Sequence, residues 1–170
     1  TEDNTYYLSL FEKVEGLSWM DFEETAETFY QAGKHLGKVH HYSKEFPKKL
    51  ERDSWLENQY LTVASDVIPE EKQWMVDEMD NFIQELKQLP TVQGGYGLVH
   101  GDYNYANLLY SDEQITIIDF DELEYNWYAY DIAVYIFYYL LGGNPANMDI
   151  EPNEKCFKTF MQGYLEETEI

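Results

Sequence analysis

The chain has 170 residues, the length of one domain or of part of one, and a net charge of −22 at pH 7. This charge argues against binding to nucleic acids or anionic membranes, because their phosphates would be repelled and the sequence has no basic stripe; it is compatible with cationic partners and equally with a role in solubility alone. The single cysteine, Cys156, excludes an internal disulfide and fits a reducing compartment, so we expect a cytoplasmic protein.

In chain order, the first predicted elements are a strand and a long helix. Residues 5–14 alternate between apolar and polar side chains and predict a strand. Residues 21–46 carry apolar side chains at helical spacing and predict an amphipathic helix. Asp21, three residues before Glu24, has the spacing of a helix-capping pair, and Pro47 is expected to end the helix.

The remaining elements are mainly helices, interrupted by a short β region. Helices are predicted over about 52–65 and about 69–89, a buried helix over 129–142, and a last helix from near Pro152. The apolar run 132–141 is too short to cross a bilayer, and no secretion signal is apparent. The expected fold class is therefore mainly α, of the α+β type.

The chemistry is concentrated in LVHGDYNYANLLYSDEQITIIDFD, residues 98–121. Apolar residues flank a polar loop, and ITIIDF is a run typical of a strand. A hairpin turning at residues 111–114 would bring Asn107, at the start of one strand, close to Asp119, at the end of the other. Amide and carboxylate oxygens suit Mg²⁺, which also keeps places for phosphate oxygens. Asp102 would stand nearby, close enough to accept a proton from a hydroxyl nucleophile.

The spacing of these residues resembles that of a known family. His100-Gly101-Asp102-x-x-x-x-Asn107, followed by Asp119-Phe120-Asp121, is similar to the catalytic loop H-R-D-x-x-x-x-N and the D-F-G of protein kinases. The two departures, Gly for Arg and Asp for Gly, are the forms of the aminoglycoside phosphotransferase and choline kinase-like families. The segment IIDFDELEYNWYAYDIAVYI also resembles them, and FEKVEG (11–16) and LGKVHHYS (36–43) resemble their interlobe hinge and a helix end.

The resemblance implies catalytic and metal-binding roles for three residues. Asp102 becomes the catalytic base, or the carboxylate that orients the nucleophile. Asn107 and Asp119 become the residues that hold Mg²⁺ on the β- and γ-phosphates of ATP.

The same resemblance implies supporting roles for four others. The backbone of Glu12 and Val14 would face the adenine of ATP, while His100 would brace the catalytic loop. Asp131 would accept hydrogen bonds from the backbone of that loop. Asp121 has no role that the resemblance assigns firmly.

The resemblance also implies a domain organisation. The chain would be the C-terminal lobe of the protein-kinase-like fold, helical with a small catalytic-loop β hairpin. Residues 1–16 would be the end of the N-terminal lobe and the hinge, and residues 17–170 the helical catalytic lobe. The sequence has no G-x-G-x-x-G phosphate loop, so we expect the N-terminal lobe to be missing and the isolated fragment to bind ATP weakly and turn over little or nothing.

The expected function is ATP- and Mg²⁺-dependent transfer of the γ-phosphoryl group to a hydroxyl of a small molecule. An aminoglycoside, a choline-like amine and a homoserine-like compound are all open, and the many carboxylates would suit a cationic acceptor. A Ser/Thr protein kinase of the same fold and a noncatalytic, pseudokinase-like binding module are alternatives. A two-metal phosphoesterase is disfavoured, because such sites need several histidines and His100 has none after it.

Overall fold

The computed structural model describes residues 8–18, 21, 25–46, 50–92, 94–111, 114–141 and 154–170. Its helices are α1 (Ala26–Glu45), α2 (Gln59–Thr62), α3 (Ala64–Val67), α4 (Gln73–Leu86), α5 (Tyr128–Leu141) and α6 (Glu154–Glu167). Its strands are β1 (Tyr96–Val99), β2 (Leu108–Ser111), β3 (Gln114–Ile117) and β4 (Glu124–Trp127). The described part is mainly helical, as predicted. None of its helices is both long and apolar enough to cross a lipid bilayer.

The long helix α1 begins later than its sequence pattern predicts. Thr25 caps it: its side chain accepts the Thr28 N–H at 3.3 Å, and the Thr28 hydroxyl accepts the Thr25 N–H at 2.9 Å. This reciprocal pair satisfies two backbone donors that would otherwise lack partners. The predicted capping residue Asp21 instead lies in a turn held by Ser18, and Glu24 lies outside the described residues.

Two other predicted elements differ from the structure. The strand expected over 5–14 is wrong where the structure describes it, because residues 8–14 form no strand and no described strand pairs with them. Residues 5–7 lie outside the described part. The helix expected over 52–65 is broken at Asn58, whose extended backbone separates a short 3-10 turn from α2 and whose side chain caps α2 through the Tyr60 N–H.

The core is built on close packing of α1 against α6. Phe29 and Leu36 of α1 and Phe160 of α6 are buried together with aromatic side chains of α5. Glycines allow the two backbones to touch, since a Cβ on Gly33 would lie 1.9 Å from the Phe160 carbonyl oxygen and one on Gly163 would lie 2.0 Å from the Tyr30 carbonyl oxygen. The loop that carries the acidic motif packs on the core formed by this helix pair.

Two antiparallel strand pairs hold that loop. Strands β2 and β3 form the predicted hairpin, with Leu108 opposite Ile117. Strands β1 and β4 form a second pair, with Val99 opposite Glu124, that the sequence analysis did not predict. The loop between β1 and β2 is therefore anchored at both ends, and β4 leads directly into α5.

A buried polar network joins α1, α5, α6 and the loop. The fully buried carboxylate of Asp131 accepts the backbone N–H of His100 at 2.8 Å and that of Gly101 at 2.9 Å. His40 Nε2 lies 3.0 Å from Asp131 Oδ2, and His40 Nδ1 lies 2.8 Å from the Tyr164 hydroxyl. An ionised carboxylate can only accept, so Nε2 carries the proton and Nδ1 accepts from Tyr164. The imidazole is therefore neutral, and both of its nitrogens have hydrogen-bond partners.

The protonation of His40 should couple the stability of the fold to pH. Burial lowers the pKa of His40, although the hydrogen bond and charge of Asp131 act in the opposite direction. The unfolded chain, with an ordinary histidine pKa of about 6.5, therefore binds a proton that the folded chain excludes. We expect the free energy of unfolding to be unaffected by His40 above about pH 6.5 and to fall below it, by at most about 1.4 kcal/mol per pH unit.

Denaturant titrations of the full-length protein and of His40→Gln between pH 5 and pH 8 would measure this effect. A glutamine can still donate to Asp131 and accept from Tyr164, but it cannot titrate. The unfolding free energy of the wild-type protein minus that of His40→Gln should decrease on acidification. If the wild-type value minus the variant value increased on acidification instead, His40 would be charged and paired with Asp131.

The contact between α1 and α6 predicts a cost for any side chain at Gly33. Gly33→Ala should destabilise the protein by about 1–3 kcal/mol, because the backbone of α6 must move away from the new methyl group. Gly95→Ala is a matched control, since a Cβ there meets no atom within 4 Å. Thermal unfolding of both variants would test this; equal melting temperatures would contradict it.

Candidate active site

The candidate catalytic carboxylate, Asp102, is held by two neighbouring amides. Asn107 Nδ2 donates to Asp102 Oδ2 at 2.9 Å, and Asn104 Nδ2 donates to Asp102 Oδ1 at 2.8 Å. Asn104 also caps the turn of residues 105–107 by accepting the Ala106 N–H. Both amides are buried, whereas Asp102 is half-buried. The carboxylate is thus fixed in orientation yet open to a reacting group.

His100 connects Asp102 to the neighbouring strand. Its Nδ1 lies 3.3 Å from the backbone N of Asp102 and its Nε2 lies 3.1 Å from the Ile118 carbonyl oxygen. The Asp102 N–H must donate, so Nδ1 accepts and Nε2 carries the proton that the carbonyl accepts. The ring is fully buried beside Phe120, with ring centroids 4.7 Å apart. With both nitrogens engaged, this histidine is placed to brace the loop, the role that the resemblance implied.

The structure gives a physical reason for the glycine in His-Gly-Asp. Gly101 has φ of +86°, a conformation that residues with a side chain rarely adopt. A Cβ at this position would lie only 2.0 Å from the Glu122 carbonyl oxygen. The backbone after Asp-Phe-Asp therefore packs directly on the catalytic loop, and any larger residue would separate the two acidic motifs.

Asn107 and Asp119 are brought to the same end of the β2–β3 hairpin. Asn107 directly precedes β2, Asp119 is the second residue after β3, and the Ile118 N–H donates to the Asn107 carbonyl at 3.0 Å. Asp119 is exposed and has φ of +62°, which turns the chain sharply after the strand. Among the described residues, no group hydrogen-bonds to the Asn107 Oδ1 or to the Asp119 carboxylate. These open oxygens form a donor set that fits a hard divalent cation.

The two residues predicted to face adenine, Glu12 and Val14, are not brought close to Asp102 by the described contacts. Glu12 and Val14 lie on the exposed segment 8–16, and no contact recorded for the described residues joins them to Asp102. That segment reaches the hairpin at its C-terminal end, where Gly16 packs against Leu109 and the next residue, Leu17, pairs with Tyr110. Their nucleotide-binding role stays a prediction.

An acidic pocket lies beside the catalytic loop, with a volume of about 340 Å³. We use this name for the depression whose acidic lining residues are Glu51, Asp53, Glu57, Asp121, Glu122 and Glu124. Arg52 is its one basic lining residue and donates to the Asp121 carbonyl at 3.4 Å. The pocket gives Asp121, which the motif left without a role, a place on an anionic surface that meets the loop at Gly101, where the Glu122 carbonyl packs.

Sequence reasoning missed three residues of this region. It did not name as site residues Asn104, which donates to the Asp102 carboxylate, or His40, which is bonded to Asp131. It did not single out Glu124 either. Glu124 is only 7% exposed and sits in a strand too short for its alternation to be recognised. Within the described part of the chain, no group of three or more His, Cys, Asp or Glu side chains is arranged to hold a metal.

Comparison with known proteins agrees with this geometry. The model of the family described as "Phosphotransferase enzyme family" matches residues 1–169. An amicoumacin kinase of Bacillus subtilis (strain 168) is 29% identical over 170 residues, which are 98% of this chain and 50% of that protein. The chain thus spans about half the length of the curated relative that it matches.

Solved structures show the same fold. An amicoumacin kinase in complex with AMP-PNP, Ca²⁺ and a ligand abbreviated Ami superposes with a TM-score of 0.77 at 26% identity, over 94% of this chain and 48% of that one. A microcompartment-associated aminopropanol kinase has a TM-score of 0.64 at 24% identity, over 94% of this chain and 51% of that one, and shows the fold alone.

These matches confirm the expected fold class, with the helical architecture and the hairpin of a kinase-like C-terminal lobe. The motif spacing, the hairpin that joins its two halves and the match over residues 1–169 lead to one conclusion: this chain belongs to the phosphotransferase enzyme family that includes the aminoglycoside phosphotransferases.

Proposed function

We propose that the protein containing this chain transfers the γ-phosphoryl group of ATP to a hydroxyl of a small molecule that carries an amine, in a reaction that depends on Mg²⁺. The observation that carries the proposal is the Asp102 carboxylate, oriented by Asn104 and Asn107 beside the open oxygens of Asn107 and Asp119. A binding module would not need an oriented and accessible carboxylate at this position, which disfavours the pseudokinase-like alternative.

Each residue of the proposed site has one task in this mechanism. Asp102 accepts a hydrogen bond from the acceptor hydroxyl, aligns its oxygen with the γ-phosphorus and takes its proton as the new O–P bond forms, while the bond from the γ-phosphorus to the β-phosphate oxygen breaks and ADP leaves. Asn107 and Asp119 would hold Mg²⁺, which would supply positive charge against that of the phosphates. His100 and Asp131 keep the loop in place through the backbone of residues 100–102. Catalysis of this kind depends on position and charge, with no covalent enzyme intermediate.

The acidic pocket supports an amine on the acceptor. Six carboxylates and one guanidinium line it, so a cationic group would find a favourable potential beside the loop that carries Asp102. The name of the similar curated protein, an amicoumacin kinase, favours a small molecule over a Ser/Thr peptide. Aminoglycosides, choline-like amines and homoserine-like compounds all remain candidates.

The nucleotide site is proposed to be completed by a lobe that precedes residue 17. Leu8 and Leu10 are almost fully exposed and Phe11 is 84% exposed, so this segment offers apolar surface for such a lobe to cover. Glu12 and Val14 would then meet adenine through their backbone. We place the protein in the cytoplasm, where ATP is available and the thiol of the single cysteine, Cys156, stays reduced.

The role of Asp102 is open to a direct test with the full-length protein. Asp102→Asn keeps the size of the side chain but removes the base, and should lower the rate of phosphoryl transfer by about 10²–10⁴-fold. ATP-dependent transfer would be followed by mass spectrometry against amino alcohols, aminoglycosides and Ser/Thr peptides, with and without Mg²⁺.

Asp66→Asn, on the exposed surface of α3, is the matched control and should keep the wild-type rate. Wild-type activity in Asp102→Asn would show that the base is misassigned. Failure of the wild-type protein to phosphorylate any acceptor or to hydrolyse ATP with Mg²⁺ would favour the binding-module alternative.

A further inference from the structure

An apolar cavity of about 720 Å³ lies next to the acidic pocket. We call it the aromatic cavity; its walls include Trp55, Phe82, Ile83, Leu86, Trp127 and Tyr130. It lies between α4, the segment that follows this helix, β4 and the first turn of α5. Its volume and its mainly apolar lining are those of a site for an organic ligand.

Glu124 forms the polar end of the aromatic cavity and also lines the acidic pocket. Its oxygens accept from Asn126 Nδ2 at 2.8 Å and Asn58 Nδ2 at 3.1 Å. No Lys, Arg or His among the described residues pairs with it. A carboxylate that is 93% withdrawn from solvent and held by neutral amides alone is costly unless a cation approaches it. The side chain therefore marks the junction of the two spaces as a site for a positive charge.

The aromatic cavity also adjoins residues that hold the proposed base. Tyr130 lies in its wall and directly precedes Asp131, the residue that holds the backbone of Gly101. The acidic pocket shares Glu124 with the cavity and is also lined by Glu122, whose carbonyl oxygen packs against Gly101. Burial, followed by the charges of Glu124, Asp131, Asp102 and Glu122, raises the pKa of Tyr130 to about 12. The acidic pocket thus connects the aromatic cavity with the loop that carries Asp102.

We propose that the aromatic cavity binds an aryl or bulky alkyl group of the acceptor, whose ammonium group lies against Glu124 and whose hydroxyl points to Asp102. The acceptor class is therefore an amino alcohol with a large apolar substituent. This inference rests on the proposed function, and it narrows the acceptor from amines in general. A polyhydroxylated, polycationic sugar would leave the apolar walls without contacts, and a nucleotide phosphate would be repelled by Glu124.

Equilibrium binding to the full-length protein tests the inference independently of turnover. Calorimetry would compare three probes: 1-amino-2-propanol, 2-amino-1-phenylethanol, which adds an aryl group, and 1-phenylethanol, which lacks the amine. We expect the aryl amino alcohol to bind at least tenfold more tightly than either of the others, because it alone occupies both parts of the site.

Two variants assign this preference to the residues named. Phe82→Asp places a charge in the cavity wall and should remove most of the gain from the aryl group; Trp74→Asp, an equally exposed aromatic position on α4 outside the cavity, is the matched control and should keep it. Glu124→Gln should reduce the advantage of the amine while keeping that of the aryl group. Neither substitution alters Asp102 or the hairpin oxygens.

The outcomes separate this inference from the proposed function. Equal binding of the three probes would overturn the inference, and phosphorylation of 1-amino-2-propanol would then still support the proposed function. Selective binding without transfer would support the cavity assignment and count against the reaction. If Phe82→Asp changed only the melting temperature or the oligomeric state, the cavity would be covered by residues after Ile170 or by a second copy of the chain, and the inference would be wrong.

Discussion

The carboxylate of Asp131 is the interaction on which the rest of the site depends. One oxygen accepts from His40 and from the His100 backbone, and the other accepts from the Gly101 backbone. Three donors compensate a charge that is fully buried, which makes its burial tolerable. The same contacts fix the loop that carries Asp102 to α1 and α5, the helices of the core. Stability and the position of the proposed base are therefore set by a single side chain.

The two acidic motifs are held together through backbone contacts that start at this anchor. Asp131 holds Gly101, the φ of Gly101 admits the carbonyl of Glu122, and the strands on either side fix the ends of the loop. Side-chain amides then set the direction of the Asp102 carboxylate. Because these constraints are mostly backbone hydrogen bonds and close approaches, the surrounding side chains can vary with the acceptor while the proposed reacting groups stay in place.

A contact of the site could be predicted from the sequence only when its two residues are close together in the chain. Asn107 and Asp119 are linked by a short hairpin, so their spacing and the β-branched run between them predicted that they would meet. His40 and Asp131 are 91 residues apart and meet only because α1 and α5 pack on the same core. The β1–β4 pair and the aromatic cavity likewise depend on long-range packing, and strands of four residues are too short to show alternation. The strand expected over 5–14 is absent from its described part, residues 8–14, for the same reason, because alternation of side chains cannot supply a partner strand.

The positions of the carboxylates explain how a chain with so large a negative charge could bind ATP. A site proposed to receive ATP cannot surround the phosphates with anions, and here the pair proposed to face them is one carboxylate, Asp119, and one neutral amide, Asn107. The dense negative charge lies instead on the proposed acceptor side, where six carboxylates and one arginine line the acidic pocket. Among the acidic residues of the pocket, Glu124 is distinctive, because it is buried and adjoins apolar walls as well as charged ones.

The surroundings of Glu124 favour one kind of ligand. A cation alone would satisfy its charge and leave the apolar walls without contacts, and an apolar ligand alone would bury its charge further. Only a molecule that combines both features is favoured by the whole site, which is why the geometry points to an apolar amine in place of a polycation.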